Sequence, residues 1–194
     1  MSLIPEFELG LWNAWILMLS FFLMVIPLWV LDRLRGQKGS GRPDTWPLNE
    51  TEKKLDRIAL LISLTYFIYS VFLPLKLGTA WLYLGLLVYL FGCIFGFVAA
   101  ANLNNTPLDR PATKGLYRIS RNPVYLGMSL SFIGIGIACA SWLWLLLGAV
   151  GLILQNFLLD AEERWCLEKY GGAYREYMNR TPRWIGMAKS KKRD

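Results

Sequence analysis

The sequence predicts an all-α membrane protein, a polytopic helix bundle with five spans whose last two form a tight helical hairpin. Three observations carry that reading. The 194-residue chain is 55% hydrophobic with nine Trp and a mean hydropathy of +0.35, which is too apolar for an ordinary soluble domain. Its apolar residues gather into long uncharged runs separated by polar segments. Of its 21 Lys and Arg, all but Lys76 fall in three of those segments: 32–57, 102–121 and the tail beyond 160. Five crossings put these segments on one face, and the positive-inside rule makes that face cytoplasmic. The N-terminus is then outside, with the C-terminus and the chemistry inside.

The elements follow in order. Leu9 to Leu31 is uncharged and long enough to span at about 1.5 Å per residue. Its flank carries Glu6 and Glu8 in place of Lys or Arg, so it reads as a span and not as a signal peptide. Ile58 to Leu75 is the second run, closed by Pro74 and the short turn Lys76-Leu77-Gly78. Thr79 to Ala101 is the third, with Gly85, Gly92 and Gly96 available for close helix contact. Asn102 to Arg121 is polar and broken by Pro107 and Pro111. The run from Asn122 to Leu159 then holds two helices joined near Ala140-Ser141. Each is close to the minimum length for a crossing, so a re-entrant hairpin competes with two full spans. The whole of 1–194 reads as one domain: a three-span scaffold over 1–101, then a loop, hairpin and tail over 102–194 that carry the site.

Composition also excludes. The net charge of +7 is explained by cytoplasmic loops, so nucleic acid is not an expected partner; the lipid bilayer is. There is no His, and Cys93, Cys139 and Cys166 show no metal-ligand spacing, so no metal site is expected. No Asp, Glu, Lys or Arg lies deep within a run, which disfavours ion pumps and proton-coupled transporters.

The chemistry is therefore expected at the ends of the hairpin. Before it stand Tyr117, Arg118, Arg121, Asn122 and Tyr125; after it come Asp160, Glu162 and Glu163, with Tyr170, Tyr174 and Tyr177 at helical spacing. Pro123 favours a helix start, whose free backbone N–H groups suit an anionic or polar ligand. Arg and Tyr near an interface are commonly anchors, and glutamate pairs at helix ends are commonly solvated. The combination around one hairpin is what points to a pocket.

The ordered set Gly115-x-Tyr117, Arg121-x-Pro123-x-Tyr125-x-Gly127, an apolar hairpin, Glu162-Glu163, Tyr170-Gly171, Tyr174, Tyr177 and Pro182 resembles the isoprenylcysteine carboxyl methyltransferase family and the related phospholipid methyltransferases. The resemblance covers Leu103 to Arg183. Where that family commonly has His between Arg and Pro, this chain has Asn122, which hydrogen-bonds but does not titrate.

The resemblance implies S-adenosylmethionine as methyl donor, with S-adenosylhomocysteine as product. It implies donor contacts from Tyr117, Asn122 and Tyr125 and from one of Glu162 and Glu163, with backbone contacts from Arg110, Pro111 and Ala112. A glutamate accepts both hydroxyls of a ribose, and tyrosine faces stabilise a sulfonium cation. The leading acceptor is a lipophilic carboxylate such as a prenylated cysteine, which is ionised at neutral pH and needs no base. Arg121 or Arg164 would orient it. Phospholipid amine methylation is the first alternative, with Glu162 or Glu163 as base. A membrane reductase with similar short motifs, and a transporter, stand behind it.

Overall fold

The computed structural model describes residues 7–21, 26, 30, 47–107 and 109–186. Much of the expected first span and most of the polar segment after it lie outside the described residues, as does the tail from 187; residues 15–21 of the first run are helical. The remaining elements are α1 (Glu50–Phe72), α2 (Ala80–Asn104), a 3-10 turn (Gly115–Arg118), α3 (Pro123–Ala138), α4 (Trp142–Tyr170) and α5 (Gly172–Arg180). The regular elements among the described residues are all helices, with an isolated bridge between Asn13 and Pro74. Helices α1, α2 and α4 are long and apolar enough to cross a membrane, whereas α3 is apolar but only 16 residues long. Among the described residues three crossings are met by length and composition; the expected first span lies partly outside them, and α3 is shorter than a usual crossing.

Helices α1, α3 and α4 begin where the sequence satisfies or removes a free N–H group. Asn49 and Glu52 form a reciprocal capping box on α1, with bonds of 2.9 and 2.8 Å. Pro123 opens α3 at a position where a missing N–H costs nothing. Ser141 Oγ accepts from Trp144 N at the start of α4. The joint between α3 and α4 is a tight turn through Ala140, at φ 49°, at the place the sequence indicates.

Two departures from the expected hairpin matter. First, the tight partner of α3 is α2, not α4. The two helices run antiparallel with glycines facing each other: a Cβ on Gly92 would lie 2.5 Å from Ser131 N, and one on Gly134 would run into the backbone of Tyr89. Such backbone proximity gives membrane helices the dispersion contact that water exclusion cannot supply between them. Second, α4 does not end at Leu159. It runs through the acidic cluster to Tyr170 and stops at Gly171, whose φ of 54° suits glycine. Glu162 and Glu163 therefore lie inside a helix and not at its end.

One end of the bundle is tied by backbone bonds. Ala14 N donates to Leu73 O at 2.9 Å, Leu75 N to Trp12 O at 3.0 Å, and Lys76 N to Ala138 O at 3.1 Å. Just inside lies the core, where Trp144 is fully buried, its Nε1 donates to Phe132 O at 2.8 Å, and Tyr66 packs edge-on at 4.5 Å. The large apolar side chains Leu64, Phe67, Leu87, Leu90, Phe91 and Ile94 point outward and are more than half or nearly half exposed, which a lipid solvent accommodates. The opposite end gathers the start of α1, the 105–122 segment, the second half of α4, and α5. The buried ion pairs among the described residues are there.

Candidate functional site

At that end the loop after α2 folds against α4 and α5 around a small cavity of about 40 Å³ that opens to solvent. One wall is Leu103, Thr106, Pro107, Arg110, Pro111 and Ala112; the second is Tyr117, Arg121 and Asn122. The third is one face of α4, where Glu162, Trp165, Cys166 and Tyr170 recur at helical spacing, continued by Tyr174 and Tyr177 of α5. Buried Tyr117, Cys166, Tyr174 and Tyr177 form a separate small core beneath the pocket. Tyr177 Oη donates to Tyr117 O at 2.8 Å, fixing α5 to the loop. Burial raises the Tyr174 and Tyr177 phenols well above their ordinary range, so both remain neutral.

Three consecutive residues of α4 face three ways, because successive helical side chains are turned about 100° apart. Glu162 is 7% exposed, lines the pocket, and accepts from Tyr125 Oη at 3.1 Å. Glu163 lies behind it, between two arginines: Arg121 Nη2 is 3.2 Å away and Arg183 Nη2 2.6 Å away. Arg164 turns to the other side, where it pairs with Glu52 at 2.6 and 2.8 Å and donates to Pro47 O at 3.3 Å.

The structure thus brings Arg110, Pro111, Ala112, Tyr117, Arg121, Asn122 and Glu162 to one pocket. Tyr125 reaches it through Glu162. Glu163 supports Arg121 from behind, and Arg164 does not line the pocket. Arg121 has an unusual status: its side chain is 11% exposed, and its Nε is buried without a hydrogen-bond partner among the described residues. A buried unpaired donor is costly and calls for a ligand or solvent.

Sequence reasoning missed Leu103, Trp165 and Cys166. The i+3 and i+4 spacing from Glu162 could have found the last two, had α4 been extended past Leu159. It also missed Arg183, which sits among the many basic residues of the tail with nothing to single it out.

Three helices long and apolar enough to cross a membrane, with a polar, aromatic pocket at one end, indicate an integral membrane protein. Residues 80–173, just under half of the chain, match the family model described as phospholipid methyltransferase. The match agrees with the resemblance seen in the sequence. No curated protein matches the chain. The matched stretch takes in α2, α3, α4 and the loop that walls the pocket.

Proposed function

We propose that this protein transfers a methyl group from S-adenosylmethionine to the carboxylate of a lipophilic acceptor, such as a prenylated cysteine, with the site on the cytoplasmic face. The observation that carries the reading is Arg121, which lines the pocket and whose nearly buried side chain includes an Nε with no hydrogen-bond partner among the described residues. A carboxylate is the natural complement of such a group. The donor's requirements are met as well. Glu162 would hold the ribose hydroxyls, the faces of Tyr117, Tyr174 and Tyr177 would lie beside the sulfonium, and the wall at Arg110, Pro111 and Ala112 would supply backbone contacts. Bound, the donor supplies an electrophilic methyl group.

The chain's own part is binding, orientation and exclusion of water. Arg121, backed by Glu163, fixes the direction of the acceptor carboxylate. Trp165, Cys166 and Leu103 keep that side of the pocket apolar, which strengthens each charge interaction within it. No proton is removed, so no general base is needed, in keeping with Asn122 at a position where an imidazole would titrate. The amine alternative has one observation in its favour: Glu162 lines the pocket and could accept a proton from an ammonium.

Calorimetry of the purified protein with S-adenosylhomocysteine tests donor binding: a saturable one-to-one heat is expected, and its absence contradicts the proposal. In methyl-transfer assays, Arg121→Ala should lower the rate far more than Arg164→Ala. The reverse order would move acceptor orientation to Arg164.

A further inference from the structure

We infer that Arg183 is a positioning residue: it neutralises Glu163 so that Arg121 stays available to the ligand, and through its own carbonyl it fixes the Asn122 side chain. The inference rests on the reading of Arg121 and Asn122 as ligand-facing. It adds a residue that lies outside the family match and does not line the pocket.

The geometry is a strap. After α5 the chain turns at Thr181 and runs back across the site end of the bundle. Pro182 O accepts from Arg121 N at 3.0 Å. Arg183 O accepts from Ser120 Oγ and from Asn122 Nδ2, each at 3.2 Å. The Arg183 side chain points the opposite way, to α4. Its Nη2 donates to Glu163 at 2.6 Å and to Asp160 at 2.6 Å, its Nε to Glu163 at 3.2 Å, and its Nη1 to Asn156 O at 3.2 Å. Trp184 Nε1 adds a bond to Asn156 Oδ1 at 3.1 Å. One residue thus joins the two walls of the pocket, the 117–122 loop by its backbone and α4 by its guanidinium.

The charges explain why an arginine is needed there. Glu163 is 6% exposed at its side chain and has two cationic neighbours, one on each side. Arg183 makes the shorter and bidentate pair and Arg121 the longer single one, which leaves Arg121 Nε free of protein partners among the described residues. Burial works against the charge on Arg183, but its bonds to Glu163 and Asp160 outweigh that and raise its pKa, so it remains a cation throughout the usable pH range. Without it, a buried carboxylate would have Arg121 as its main cation and would draw that side chain from the pocket. A guanidinium bridges Glu163 and Asp160 at once, and an ammonium matches that geometry poorly.

The test uses the full chain in lipid nanodiscs, with S-adenosylhomocysteine calorimetry and methyl-transfer kinetics on Arg183→Gln, Arg183→Lys and the double variant Arg183→Gln/Glu163→Gln. Arg183→Gln should lower kcat/KM by about tenfold or more, the scale of one charged hydrogen bond. Arg183→Lys should recover part of the loss. The double variant should recover most of it, since removing the Glu163 charge removes the pull on Arg121. A double variant as impaired as Arg183→Gln, or more so, would overturn the inference and reduce Arg183 to an anchor for the strap. An unaltered protein that binds no S-adenosylhomocysteine would instead overturn the donor reading. The positioning role is then decided by a thermal-unfolding cycle between Arg121→Gln and Arg183→Gln. Coupling that vanishes when Glu163 is Gln supports it, and no coupling overturns it.

Discussion

Tyr125 Oη donates to Glu162 Oε2 at 3.1 Å, joining the first turn of α3 to the middle of α4 at the edge of the pocket. The bond turns one glutamate of an adjacent pair toward the ligand space, while Glu163 is held behind by Arg121 and Arg183. The two carboxylates are alike in sequence and differ in role by their place on the helix.

Substitution separates them. Glu162→Gln should weaken S-adenosylhomocysteine binding by about 1.5–3 kcal/mol, the value of a charged hydrogen bond, and Tyr125→Phe by about 0.5–1.5 kcal/mol, since it only releases the orientation of Glu162. Isothermal titration of both variants checks this. Tyr125→Phe costing more than Glu162→Gln would place the tyrosine, not the glutamate, on the ligand.

The α2–α3 contact makes a stability prediction. An added Cβ at Gly92 lies 2.5 Å from Ser131 N, closer than real side chains approach, and at Gly151 it meets nothing within 4 Å. Gly92→Ala should therefore destabilise by about 1–3 kcal/mol through forced helix separation. Gly151→Ala should gain up to about 1 kcal/mol from helix propensity. Denaturant titration in detergent measures both, and equal effects would argue against the close approach.

Much of this was legible in the sequence because charge and proline mark helix boundaries directly. The end of α1, the bounds of α2 and α3, the joint at Ala140 and the approach of Tyr117, Asn122 and Glu162 follow from uncharged runs and their flanks, but α1 begins at Glu50, inside the segment read as polar, because the Asn49–Glu52 capping box starts the helix before the apolar run. The end of α4 did not follow, because Asp160, Glu162, Glu163 and Arg164 look like a membrane exit. A helix carries charges onward when each finds a partner, as Arg164 finds Glu52 and Glu163 finds Arg121. The pairing of α2 with α3 was half visible: Gly85, Gly92 and Gly96 announce a close contact, but nothing local says with whom. Arg183 was invisible because its role depends on a chain reversal after α5.

Membrane orientation can be tested on the described loops. The three native cysteines are buried, so introduced ones report alone. Exposed Leu77 lies at the end away from the pocket and exposed Lys114 at the pocket end. A membrane-impermeant maleimide applied to intact cells should label Leu77→Cys, and should label Lys114→Cys only after permeabilisation. Labelling of both from outside would contradict a transmembrane arrangement with a cytoplasmic site.

The buried phenols beneath the pocket predict an alkaline limit. Burial raises Tyr174 above its unfolded value of 10.0, so the folded state keeps a proton that the unfolded state loses. That stabilisation is complete below the unfolded value and declines as pH rises above it. The unfolding temperature should fall from about pH 10 upward, and less steeply in Tyr174→Phe, which has no such proton to lose. Identical slopes for both proteins would mean that this phenol is not buried in solution.

The most direct test of the central claim is the fate of a labelled methyl group. Membranes containing the protein are incubated with methyl-labelled S-adenosylmethionine and a small prenylated cysteine analogue, then treated with mild alkali. A methyl ester releases its label as volatile methanol, and an N-methyl group does not. The account predicts volatile label, formed at a rate nearly independent of pH once the acceptor carboxylate is ionised, because no base takes part. Label that remains on lipid after alkali, with none on the prenylated cysteine, would contradict carboxyl methylation and make the protein an amine methyltransferase.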